Sequence, residues 1–232
     1  MERTIPPSKE RKLMAKAPLP VDPRRSIAIK RDVHRFEVAC DAAALARAFG
    51  EVMEEPSATF GLIRVKRPER RMGRPFEKGE RFQGCFSLEM AIGGALARWP
   101  NLRRIVGAAL ANGLAARAVA FIEDQALSDY GEIVAIDMDP APGEPHRLEY
   151  RYLEGTPIAG RSVFTIEGAG AGRSLLTQVL EFQEVNGMAL AIFQRIGLKW
   201  HDGVVAMQVE RAAERARASV ISGTIPLAYA AA

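Results

Sequence analysis

Cysteine is scarce in this chain: Cys40 and Cys85 are the only two among 232 residues. Two thiols are too few for a disulfide framework or a cysteine-based zinc site. Both are read as reduced thiols, which points to the cytoplasm. Long apolar runs are missing too. No stretch reaches the about 18 uncharged apolar residues of a membrane-spanning helix. The opening segment MERTIPPSKERKLMAK interrupts its apolar residues with proline and charge, unlike a secretory signal. Histidine is limited to His34, His146 and His201, scattered along the chain with no HxxxH pair and hence no metal signal. No Ser-His-Asp order suggests itself. Ser222, in SVISG, lacks the strand-to-helix setting of a nucleophile elbow. The GAGAG string at 168–172 is followed by a strand pattern, whereas a dinucleotide loop opens a helix, so it reads as a hairpin turn. The expectation is a protein with neither a bound metal nor a nucleotide cofactor.

What is present is ordinary globular material. Apolar residues make up 48% and charged residues 26%, which excludes wholesale disorder. The net charge of +4 is unevenly placed. Residues 1–36 carry ten Lys/Arg against four acids, and residues 64–81 carry eight against three, so the remainder is net acidic. Such patches suit phosphate groups of an anionic membrane surface or a nucleic acid. Nucleic acid is disfavoured, because the basic loop has only Phe76 and Phe82 for stacking and no reading helix stands out.

Residues 1–31 read as an extended basic arm. His34 to Cys40 alternates as a strand, and Asp41 caps a helix reaching about Met53, with Leu45, Phe49, Val52 and Met53 on one stripe. Thr59–Lys66 and Glu80–Glu89 read as further strands. The Ala-rich stretch 91–127 reads as two or three helices inserted between strands, suited to a lid, a dimer surface or a membrane contact. Four strands follow: Tyr130–Met138, His146–Leu153, Gly160–Glu167 and Arg173–Val185. A long helix from about Ala189 to Ala218 closes the pattern, with Ile192, Ile196, Trp200, Val204 and Met207 as its buried stripe. Residues 219–232 form an uncharged tail, partly ordered against the body. This is an α+β order: a curved antiparallel sheet of about seven strands around a long C-terminal helix. A bent sheet and a helix do not pack flush, and the space between them suits an apolar ligand.

Three segments carry a resemblance: RFEVACDAAALARAF, the run RLEYRYLEGTPIAGRSVFTIE leading into SLLTQVLEFQEV, and IGLKWHDGVVAMQVERAAE. In these the chain resembles the START-like helix-grip superfamily (SRPBCC, Bet v 1-like), which includes lipid carriers and polyketide cyclases and dehydrases. The resemblance covers about 33–90 and 128–218, and the single domain is placed at 32–218. It implies binding of a hydrophobic or amphipathic small molecule, lipid- or polyketide-like, between sheet and closing helix. One alternative is a protein- or membrane-surface module using the basic arm and the Ala-rich helices. Another is a cyclase- or dehydratase-type enzyme with Tyr150, Tyr152 or His201 moving protons. Whether the chain is an enzyme, and in what oligomeric state it works, stay open. The candidate lining residues are Phe86, Tyr150, Tyr152, Phe164, Gln178, Phe182, Trp200 and His201. His201 and Asp202, adjacent in a helix, do not face each other and are not expected to pair as a dyad.

Overall fold

The structure is a computed structural model that describes residues 16–17, 30–55, 59–60, 63–67, 74–86, 128–154, 156, 158–184 and 198–224. Its elements in chain order are β1 (Lys30–Val38), α1 (Ala42–Glu54), β2 (Thr59–Phe60), β3 (Ile63–Lys66), β4 (Arg81–Phe86), β5 (Ser128–Asp137), β6 (His146–Tyr152), β7 (Ile158–Gly168), β8 (Ser174–Glu184), α2 (Leu198–Arg215) and β9 (Val220–Gly223). The strands form one curved antiparallel sheet in the order β2-β3-β4-β5-β6-β7-β8-β1-β9, the α+β arrangement expected. Nine strands are present among the described residues where about seven were expected.

The two extra strands have local causes. Thr59–Lys66, expected as a single strand, is a hairpin in which Thr59 faces Arg64 and Phe60 faces Ile63. Alternation counting runs straight through the Gly61-Leu62 pair that separates its two arms. The tail supplies the other: β9 covers the open side of β1, Phe36 facing Gly223, and the Arg35 amide donates to Thr224 Oγ1 at 3.0 Å. Ser222 therefore sits in an edge strand, away from any elbow. The basic arm is shorter than its composition suggests. Lys30 and Arg31 already belong to β1, paired with Phe182 and Glu181. Lys16 and Ala17 dock on Glu154, whose amide donates to the Ala17 carbonyl at 2.8 Å. Lys16 Nζ donates to the Glu154 carbonyl and lies 3.8 Å from the centre of the Tyr130 ring.

Asp41 caps α1 as expected, its side chain accepting from the Ala44 amide at 2.8 Å. Leu45, Phe49, Val52 and Met53 are all buried. They meet Phe36, Val38, Leu148, Phe164, Ile166 and Leu176 of the sheet and Val205, Ala206, Val209, Ala212 and Ala213 of α2. The buried line of α2 thus differs from expectation. Val204 and Met207 are only half-buried, and the centre has moved to Val205, Val209 and the alanines. Large side chains dominate a periodicity pattern, whereas the small ones, Ala206, Ala212 and Ala213, are what α2 buries against α1. Ile192 and Ile196 lie outside the described residues, as does the Ala-rich stretch 91–127. The strands before and after it in sequence, β4 and β5, are hydrogen-bonded neighbours, with Cys85 facing Ser128.

Two glycines shape the sheet. Gly131 faces Phe82 across the β4–β5 ladder, and a Cβ there would lie 2.4 Å from the Phe82 ring, so the aromatic covers the bare backbone. Gly160, at φ +139, faces Phe182, and a Cβ would lie 2.0 Å from the Glu181 carbonyl oxygen. A bulge between Ile133 and Ala135 adds curvature in β5. The GAGAG string is the β7–β8 hairpin, with Gly170 and Gly172 at positive φ. The outer face carries cross-strand charge ladders, Arg147–Glu149–Arg161–Glu181 and Arg81–Glu132–Arg151.

Within the basic loop, Arg67 points inward. Its guanidinium makes a two-pronged contact with Glu80, at 2.6 and 2.9 Å, with both side chains 1% exposed. It also donates to the Arg74 carbonyl at 2.8 Å and stacks over Phe76 at 4.1 Å.

Candidate functional site

Strand alternation places Asp32, His34, Phe36 and Val38 on the inner face of β1, and the ladder extends these positions across the sheet. One row runs Leu148, Phe164, Gln178, His34, and the next runs Tyr150, Ser162, Leu180, Asp32. Both rows start on a large apolar or aromatic residue in β6 and end on a polar one in β1. The first turns of α2 cover this polar end with His201 and Asp202. His34 Nε2 lies 3.3 Å from Asp32 Oδ2 and 3.3 Å from Asp202 Oδ1. His201 Nδ1 lies 3.9 Å from Asp202 Oδ1, and the two imidazole centres are 5.6 Å apart. Gln178, fully buried, donates to Ser162 Oγ at 2.8 Å and brings the same amide nitrogen within 3.2 Å of His201 Nε2.

His34 Nε2, His201 Nδ1, Asp202 Oδ1 and Gln178 Oε1 are all buried without a hydrogen-bond partner. The 3.3 Å approaches to His34 are close, but neither oxygen lies in the ring's hydrogen-bonding direction. Burial works against the charged form of Asp202, yet the imidazoles of His201 and His34 beside it more than offset this. They hold the carboxyl well below the ordinary carboxylate range. The adjacent His201 and Asp202 were not expected to pair with each other. Asp202 is nearer to His34, on a different element, than to its own neighbour in sequence.

Beside this polar end lies a second buried group, Tyr152, Leu180 and Phe182, which Tyr150 links to the main core by packing against both. Tyr150 meets Tyr152 and Phe82 edge to face, with ring centres 5.7 and 5.1 Å apart. Of the candidate residues, Tyr150, Tyr152, Gln178, Phe182 and His201 come together here. Phe164 belongs to the main core, its ring 5.0 Å from Phe49. Phe86 lies in β4 and Trp200 in α2, but their side chains are outside the described residues. His34, Asp32 and Asp202 were missed as a group. The available signal was a charged residue and a histidine at two successive inward positions of β1, where apolar residues would be routine.

No known protein family and no curated protein matches the sequence. Solved structures do match. The Zhui aromatase/cyclase from Streptomyces sp. R1128 superposes with a TM-score of 0.50 at 12% identity, over 81% of this chain and 96% of that one. The chain shares that protein's fold, a curved antiparallel sheet gripping a long helix. A norcoclaurine synthase from Thalictrum flavum (11% identity, 81% and 98% covered, TM-score 0.47) is also similar. So is the major latex-like protein 151 of Panax ginseng (15%, 78% and 95%, 0.42). In helix-grip terms α2 is the gripped helix, and the polar cluster lies where its first turns meet β1 and β8.

Proposed function

We propose that this chain binds an apolar or amphipathic small molecule between the first turns of α2 and the sheet, against Tyr150, Tyr152, Leu180 and Phe182. The observation that carries this reading is the second buried group, joined to the main core through Tyr150, with the buried unpartnered oxygen of Gln178 on the same strand face. An oily surface with a few convergent polar groups is the usual make-up of a small-molecule site. Gln178 and His201 would anchor a polar end of the ligand, because an amide oxygen buried without a partner costs about 1–3 kcal/mol. A lipid-like or polyketide-like molecule offers such an apolar body with a polar end, and a cytoplasmic location fits the free thiol of Cys40.

The test is direct. Organic extract of the purified full chain is analysed by mass spectrometry, and melting is followed with a panel of fatty acids and polycyclic aromatics. A retained organic molecule, or a melting shift from one class that Phe182→Ala and Tyr152→Ala abolish, supports the reading. An empty extract together with no shift from any class overturns it.

A second reading, a cyclase- or dehydratase-type enzyme, is favoured by one observation: His201 stands beside Asp202 and His34, a set able to hold and move a proton. Under this reading His201→Ala abolishes turnover of a poly-β-ketone mimic, while the melting shift from a purely apolar ligand, which does not use the His201 anchor, stays in place.

A further inference from the structure

We infer that Asp32, His34, His201 and Asp202 form a binding site for one divalent transition-metal ion, with zinc the best fit. The inference does not rest on the proposed ligand, since it needs only these four side chains.

Each of the four residues offers one ligand atom, and all four atoms lie within 4.8 Å of one another. Bonds of about 2.0–2.1 Å in a tetrahedral zinc site put neighbouring donors about 3.4 Å apart. The two separations around His34 Nε2 are 3.3 Å each, and the one between His201 and Asp202 is 3.9 Å. The set is therefore close to ligating distance without rearrangement of the backbone.

The second observation is the state of the donor atoms. His34 is 94% buried by its side chain (6% exposed), and its Nε2 has no hydrogen-bond partner. His201 Nδ1 and Asp202 Oδ1 are buried and unpartnered as well, and all three belong to the same cluster. Three buried polar atoms converging on one another without hydrogen bonds call for a shared partner, a water or an ion. Charge decides for the ion. Two carboxylates flank a single imidazole nitrogen, which donates to one of them at most, and like charges so placed repel. A divalent ion with two carboxylates and two neutral imidazoles is electrically neutral. Two nitrogen and two oxygen donors suit zinc and its first-row neighbours, and they are poorly suited to magnesium or calcium, which prefer oxygen alone.

The surrounding residues complete the arrangement. A ligating histidine usually gives its other ring N–H to an acceptor, which fixes the tautomer. His201 Nε2 faces the Gln178 amide at 3.2 Å, and that amide also meets Ser162. Turned so that its oxygen faces the ring, the amide accepts from both and leaves the His201 Nδ1 lone pair free for the metal.

The experiment uses the full chain after chelator treatment. Zinc chloride is titrated with calorimetry and retained metal is counted after gel filtration. Cobalt(II) chloride is added to a parallel sample for its visible spectrum. One zinc per chain and the intense absorption of four-coordinate cobalt are expected. Asp202→Asn and His34→Ala should each weaken zinc binding by more than about 100-fold, and Gln178→Ala by about 10–100-fold as an outer-shell partner. Asp202 is half-exposed, so its variant tests the site even where His34→Ala does not fold. Zinc retained well below one per chain, a cobalt spectrum like that of the aqueous ion, or zinc affinity unchanged in Asp202→Asn overturns the inference and leaves a water-filled cluster.

Discussion

Arg67 and Glu80 show how far a residue's neighbours outweigh its type. Arg67 stands in a segment whose composition suggests a solvated cationic loop, yet it is as buried as a core leucine. Replacing Glu80 with Gln leaves that guanidinium without a charge partner, and a loss of about 3–5 kcal/mol is expected from urea unfolding. Replacing both residues with apolar ones of similar size should cost much less, because no orphan charge remains. Cys40 gives a chemical counterpart. Burial pushes its thiol up, the polar Ser174 hydroxyl beside it pulls the other way, and the charge of Asp41 adds to the rise. A raised thiol holds its proton longer in the folded chain than in the unfolded one. The stability this contributes is present below the ordinary thiol range and is lost as pH climbs through the raised value. In a Cys85→Ser background, iodoacetamide at pH 8 should modify Cys40 several-fold more slowly in the native chain than in urea, read by mass spectrometry. Of the site, Tyr150, Tyr152, Gln178 and Phe182 were legible as inward positions of alternating strands. His34 was not, because its importance comes from residues on α2 that no local pattern connects to β1.

Secondary-structure elements were legible where capping and alternation agree, as with Asp41 and α1 or with β6 to β8. They were misread where one run holds two strands paired with each other, as with β2 and β3, or where small residues do the packing, as on α2. The end of α2 carries its own test. Arg217 adopts a left-handed conformation, φ 54, while the Ala218 amide donates to the Ala213 carbonyl at 2.8 Å. This is the cap that glycine makes without steric cost. Arg217→Gly is expected to raise stability by about 1 kcal/mol, seen as a higher melting temperature. β9 offers a second test. Removing residues 219–232 strips β1 of its outer partner and exposes a row of backbone donors and acceptors beside the site. Lower thermal stability and concentration-dependent association in sedimentation experiments are the expected outcomes.

For the whole molecule, anything that binds the folded chain alone stabilises it by mass action. At a hundredfold excess over Kd the gain is about 2.7 kcal/mol, roughly 5–10 °C for a chain of this size. Zinc and an apolar ligand should each produce a melting shift of this order in scanning fluorimetry. Among the described residues no helix is long and apolar enough to cross a membrane. Several cations of the two basic segments are already engaged: Lys16 on Glu154, Arg31 by Glu181, Arg67 by Glu80 and Arg81 by Glu132. Charge read along the chain therefore overstates the cationic surface. Alternation, periodicity, capping and turn composition are local properties, and from them the order of elements and the inward faces of the strands already follow. The pairing of β1 with β8, and the descent of the first turns of α2 onto both, arise from burying apolar surface between segments far apart in the chain. That long-range packing is what brings His34 and Asp32 to His201 and Asp202, since separate stretches of sequence carry no information on their distance in space.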